Sequence, residues 1–166
     1  MIASVDLLGA VVVGIGATLV TDLWARLLRH FSVKSLDFCL VGRWFCHMPS
    51  GVLAHGNIAL AEKRSAECVV GWIAHYTIGA IFALALVGFT GGAWLYSPTF
   101  ISAAVFGLGT AVFPLFVMQP ALGLGFAALK TANPLLARTK TVLTHLVFGC
   151  GLYASGLAWN HLTNQI

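Results

Sequence analysis

The chain has 166 residues, of which 59% are hydrophobic and 8% charged, with a mean hydropathy of +0.92. This balance lies outside the water-soluble globular range and inside the membrane class, with no room for a separate soluble domain. The formal net charge of +4 could suit nucleic acid, but all the basic residues fall in two loops, so no nucleic-acid partner is expected.

The first apolar segment runs from Leu7 to Ala25, interrupted only by Asp22, and predicts a span over about 4–29. A secretory leader is not expected. The early charge is Asp6 rather than a basic cluster, no small-residue cleavage site follows, and Arg26, Arg29 and His30 come directly after. Gly9, Gly14, Gly16, Ala17 and Thr18 would let helix backbones approach closely, the usual packing device where lipid removes the hydrophobic drive. The loop that follows, about 30–67, is not simply polar. Its residues 36–45 mix aromatics with charge, as an interfacial helix does. Pro49, Ser50 and Gly51 should break that helix, and a second short one is expected over 52–64.

From Cys68 to Leu129 there is no Asp, Glu, Lys or Arg. The turn cluster from Gly91 to Pro98 divides this stretch in two. Each half has about the twenty residues needed to cross roughly 30 Å of hydrocarbon. The second span, about 68–89, carries Gly71, His75, Gly79 and Ala83 at successive i, i+4 positions on one face. The third, about 98–119, opens on Ser97-Pro98 as cap and first turn and repeats the spacing with Ala103, Gly107 and Ala111. Pro114 should kink it and Gln119-Pro120 end it. The Gly-rich segment from Ala121 to Leu129 is expected to lie along the interface or fold back within a loop at 120–140. The fourth span, about 141–161, holds Gly149, Gly151, Ser155 and Gly156. The expected fold is therefore all-α: one membrane domain over 1–166, a four-transmembrane-helix bundle with a short interfacial helix in the first loop. Its small-residue faces offer contact surfaces for a homo-oligomer.

The nine basic residues are Arg26, Arg29, Lys34, Arg43, Lys63 and Arg64 in the first loop region, and Lys130, Arg138 and Lys140 in the second. The opposite side has none. This asymmetry predicts that both loops are cytoplasmic and both termini lie across the membrane; binding of anionic lipid headgroups is a compatible second use. Cys39, Cys46 and Cys68 fall in or at the end of the first loop and Cys150 inside the last span. A reducing compartment argues against disulfides there, and neither CxxC nor zinc-ribbon spacing occurs. Trp24, Trp44, Trp72, Trp94, Tyr96 and Trp159 fall near predicted boundaries, as an interfacial belt requires.

Strongly polar groups within hydrocarbon are costly, so each asks for a reason. Asp22, His75, Gln119 and His145 stand out. Counted from Arg26, Lys140 and Glu67 respectively, the residues Asp22, His145 and His75 rise about 6, 7 and 12 Å into the membrane from one face. Gln119 closes the third span on the same side. Each has a plain reading: an Asp22–Arg26 ion pair, a backbone hydrogen bond for His75, solvation for His145, and proline-freed carbonyls for Gln119. Their shared depth favours a common ligand-binding site. Two chemistries fit it. Asp22, His75 and His145, with His47 and His55 from the loop, could hold a transition metal, although the spacing matches no known metal motif. Alternatively, the same groups relay protons or bind the polar head of an apolar molecule.

Gly42-Arg43-Trp44-Phe45 with His47-Met48-Pro49, and Gly71-Trp72-Ile73-Ala74-His75-Tyr76, are similar to segments of a family of small bacterial inner-membrane proteins catalogued only as a domain of unknown function. The runs Pro114–Gly123 and His145–Tyr153 are similar to it as well, so the resemblance covers nearly the whole chain. It implies a bacterial cytoplasmic membrane and a four-helix architecture, and brings no activity or catalytic residue. The chemistry itself leads to a protein that binds or transports an ion or small amphiphile at Asp22, His75, Gln119 and His145. The alternatives are an intramembrane metal-dependent enzyme acting on a hydrophobic substrate, and an accessory subunit of a larger membrane complex.

Overall fold

A computed structural model describes residues 4–33 and 35–165; Lys34 of the basic loop lies outside the described residues. The regular structure is helical throughout, with no strand among the described residues. Four helices are long and apolar enough to cross a membrane: Asp6–His30, Glu67–Thr90, Phe100–Ala121 and Pro134–Thr163. The protein is thus an all-α, four-span membrane protein, as its hydropathy predicts. The chain clusters into two compact units, one made of residues 1–34, 76–110 and 144–166, the other of 35–75 and 111–143.

In the first unit, α1 (Ser4–His30) carries Asp6 in its first turn and Arg29 and His30 in its last, charges that complement the helix dipole at each end. It packs against α3 (Glu67–Thr90) and α6 (Pro134–Thr163) through small residues. A Cβ added to Gly14 would lie 2.6 Å from the Ala80 Cα, and one on Gly151 would lie 2.9 Å from the Ala17 Cα. α4 (Phe100–Thr110) meets α6 the same way: a Cβ added to Gly107 would lie 2.5 Å from the Gly149 Cα. The glycine faces seen in the sequence are thus backbone crossings. Val13, Ala17, Leu86, Leu95 and Leu152 fill the core between them.

Two local expectations change here. Trp94 belongs to that core, only 5% exposed and packed over Gly156, rather than to the interfacial belt. And α4 starts at Phe100, two residues later than Ser97-Pro98 suggests. Thr99 takes the capping role, its hydroxyl meeting that of Ser102 and its carbonyl accepting the Ala103 N–H.

In the second unit, α2 (Phe38–His47) begins at Asp37, whose side chain accepts the Cys39 N–H at 2.9 Å. It runs antiparallel to the first turns of α3. Phe38 stacks on His75 at 4.0 Å, Gly42 lies against the Gly71 backbone, and Arg43 pairs with Glu67 at 2.7 Å. Cys39 and Cys68 are joined as a disulfide at the same crossing, which corrects the expectation that no disulfide forms. That expectation rested on compartment and motif. The pairing depends on two residues far apart in sequence that the helix crossing brings together.

Residues 52–64 form no second helix. After a 3-10 turn and Gly51, at φ +79°, this segment runs irregularly, with one 3-10 turn over Ile58–Leu60 capped by Asn57. Arg43 Nη1 donates to the carbonyls of Ile58, Ala59 and Ala61, and groups held outward in this way are unavailable to an α-helical ladder. The His55 and Ile58 N–H groups donate to the Ala121 and Leu122 carbonyls at 2.8 and 3.1 Å.

Pro114 bends the third span as a π-helical turn over Pro114–Met118, closed by the Gln119 N–H on the Pro114 carbonyl. Lacking an N–H, Pro114 cannot continue the α ladder, and the wider turn absorbs the break. α5 (Gln119–Ala121) follows. The chain then folds back, with Leu124 N–H on the Gln119 carbonyl and Lys130 N–H on the Leu124 carbonyl. α6 begins earlier than predicted, at Pro134, because Asn133 caps it by accepting the Leu136 N–H at 3.0 Å. Arg138, within its first turns, donates to the Ala127 carbonyl at 2.7 Å.

Candidate functional site

Asp22 and His145 belong to the first unit, His75 and Gln119 to the second. In the first, the Tyr76 hydroxyl donates to Asp22 Oδ2 at 2.7 Å. His145 Nδ1 lies 2.7 Å from the Thr110 hydroxyl, which is itself 2.6 Å from the Gly107 carbonyl. A carbonyl only accepts, so the single Thr110 proton goes to Gly107 and the oxygen accepts from His145. The ring is therefore protonated on Nδ1, and Nε2 keeps the lone pair.

The same reasoning orients Gln119. The Thr141 hydroxyl donates to the Ala137 carbonyl at 3.0 Å, so it can only accept the Gln119 Nε2–H at 3.2 Å. That leaves Oε1 pointing elsewhere as an acceptor. Gln119 is 6% exposed, and its Oε1 is buried with no partner among the described residues. A buried acceptor without a donor costs roughly 1–3 kcal/mol. His75 has an aromatic setting, against Phe38 and 5.8 Å from the Trp72 ring.

The loop histidines meet each other, with ring centroids 5.0 Å apart and planes at 82°. His47 Nε2 lies 2.9 Å from the Glu62 carbonyl, so that nitrogen carries a proton and donates. His55 Nε2 is buried with no partner among the described residues. Among the described residues, no group of three or more His, Cys, Asp or Glu has the arrangement of a metal site. Burial, then the neighbouring His47, lower the His55 pKa from its ordinary 6.5, so the fold favours the neutral ring. Its contribution to stability is complete above pH 6.5 and is lost as pH falls through the lower folded-state value. Thermal melts at descending pH should show a loss below that point, and His55→Gln should flatten it. An equal loss in His55→Gln would assign the effect to another group.

Sequence reasoning named the acids, amides and imidazoles and missed their partners Tyr76, Thr110 and Thr141. The threonines carried a usable signal, since hydroxyls within apolar spans commonly bond backbone carbonyls one turn back and then accept from a neighbour. Arg43 and Glu67 were also missed as a pair; both are buried, and the Glu67 hydrogen bond raises the Arg43 pKa further above its usual value.

Comparison with the curated proteins and with the solved structures finds no match. Over residues 11–159, however, the sequence matches one family signature, and the chain belongs to that family, the proteins of unknown function grouped as DUF2938.

Proposed function

We propose that the protein binds or transports an ion or a small amphiphilic molecule within the bacterial inner membrane, using Asp22, His75, Gln119 and His145. The observation that carries the reading is the buried Gln119 Oε1 without a partner among the described residues. His145 supports it, because its donor is engaged by Thr110 and a lone pair is left over. Asp22 adds a carboxylate. What these groups offer in common is acceptor capacity, which suits a cation or a ligand bearing N–H or O–H groups. The charge asymmetry supports cytoplasmic basic loops and periplasmic termini, and the positions of Gly88 and Gly109, where an added Cβ meets nothing within 4 Å, support a homo-oligomer.

Gln119→Leu tests the reading with two opposed readouts. The variant should gain roughly 1 kcal/mol in ligand-free stability by removing an unsatisfied acceptor. Wild type should show a thermal shift with at least one of Na⁺, Zn²⁺ and a long-chain alkylammonium in micelles, and the variant should lose it. A destabilised variant that keeps its shift would overturn the assignment of Gln119.

A second reading, a metal-dependent enzyme acting on a hydrophobic substrate, is favoured by the adjacent His47 and His55 rings, which meet edge to face. Elemental analysis separates the two: stoichiometric metal lost in His55→Ala supports the enzyme, and metal-free protein of unchanged stability removes it.

A further inference from the structure

The crossing of α2 over the start of α3 brings three independent contacts and a disulfide into two helical turns. Gly42 and Gly71 let the backbones touch, since a Cβ on Gly42 would meet the Glu67 carbonyl and lie 2.5 Å from the Gly71 nitrogen. Arg43 grips both Glu67 oxygens, at 2.9 and 2.7 Å. Phe38 lies on His75. Between these contacts, Cys39 is bonded to Cys68. The helices are thus held together by packing and charge on either side of the sulfurs, so opening the S–S bond need not separate them. The thiols stay adjacent in the opened form, and their high effective concentration favours closing again.

Access and compartment complete the picture. Cys39 is half-buried and Cys68 is exposed, so a thiolate can reach one sulfur. The basic residues Arg26, Arg29, Arg43, Lys63 and Arg64 surround this loop in sequence and assign it to the cytoplasmic side, where disulfides are characteristically transient and redox-linked rather than structural. A disulfide and a positive-inside loop conflict if the bond is a permanent staple, and agree if it opens and closes.

We infer that Cys39 and Cys68 form a reversible redox site that exchanges two electrons with a dithiol. In the reducing direction, a thiolate of the dithiol attacks the exposed Cys68 sulfur. The S–S bond breaks, and Cys39 leaves as a thiolate and takes up a proton. The second thiol of the donor then attacks the mixed disulfide and releases Cys68. The donor ends as a disulfide and this protein as a dithiol, which balances two electrons and two protons. Cys46 and Cys150, both free, take no part. This inference does not depend on the ligand reading above.

The test uses full-length protein carrying Cys46→Ser and Cys150→Ser, purified without reductant in micelles, so that only the pair reports. Before reduction, a maleimide reagent should find no reactive thiol. After dithiothreitol without denaturant it should find both, with helical circular dichroism retained, and oxidised dithiothreitol should restore the closed form. Acid-quenched alkylation of intact cells should show both forms, shifting toward the closed one when diamide is added. A bond that resists dithiothreitol until the protein is unfolded would overturn the inference in favour of a structural staple. Loss of helicity on reduction would do the same, and so would two thiols that stay reactive in oxidised dithiothreitol.

Discussion

Arg43→Ala is expected to cost on the order of 3–5 kcal/mol of folding stability, the range for removing one partner of a buried ion pair. Arg43 is 4% exposed and holds Glu67 through Nε and Nη2. Without it, the buried Glu67 carboxylate keeps one hydrogen bond among the described residues, from the Arg64 N–H. Three loop carbonyls lose their shared donor as well. Arg43→Lys should recover only part of the loss, because an ammonium cannot serve two carboxylate oxygens and three carbonyls in one planar fork. The double variant Arg43→Met, Glu67→Leu should be less damaged than the sum of the single ones, since no unpaired charge remains. Equilibrium unfolding in mixed micelles measures these variants and the single Arg43→Met and Glu67→Leu changes. A strictly additive double variant would mean that the pair does not couple.

Gly42→Ala and Gly71→Ala form the second large expectation, a loss of about 1–3 kcal/mol or more each. The added methyl group meets backbone in both cases, the Glu67 carbonyl and the Phe38 carbonyl respectively, and backbone cannot move aside as a flexible side chain can. Gly88 and Gly109 supply the contrast within the same protein. A Cβ at either meets nothing within 4 Å, so alanine there should be neutral or gain about 0.5–1 kcal/mol, as in an open helix interior. The comparison also reads out association. If Gly88→Ala or Gly109→Ala proves costly while the monomer leaves that space open, a second molecule covers the face.

The spans were legible because hydropathy is a local property. Glu67 and Thr90 bound the second helix within a residue or so of the boundaries read from composition. The glycine stripes were legible too, since their spacing is helical whatever they touch. What escaped was made by the fold at a distance. The Arg43–Glu67 pair and the Cys39–Cys68 bond each join residues more than twenty positions apart. Neither spacing repeats a helical or strand period, so no pattern search would connect them. Residues 52–64 were expected to be helical from their composition, yet the guanidinium of Arg43 and the Ala121–Leu122 carbonyls set their path. At Pro114 the sequence announced a break, and only the backbone could say that the break takes the form of a π-turn. For the polar groups, sequence named the residues, but the tautomer of His145 and the orientation of the Gln119 amide follow from hydroxyls on neighbouring helices.

The hydrogen bonds from His55 and Ile58 to Ala121 and Leu122 carry a consequence for biosynthesis. The first loop leaves the ribosome well before the residues that receive its backbone donors, and Arg43 emerges before Glu67. Until two further spans have been made and inserted, that loop lacks the carbonyl acceptors of Ala121 and Leu122, and its apolar residues wait unshielded. Maturation of this unit is therefore a late event, completed after translation has passed the third span. Nascent chains stalled before that point should be the most vulnerable to membrane proteases.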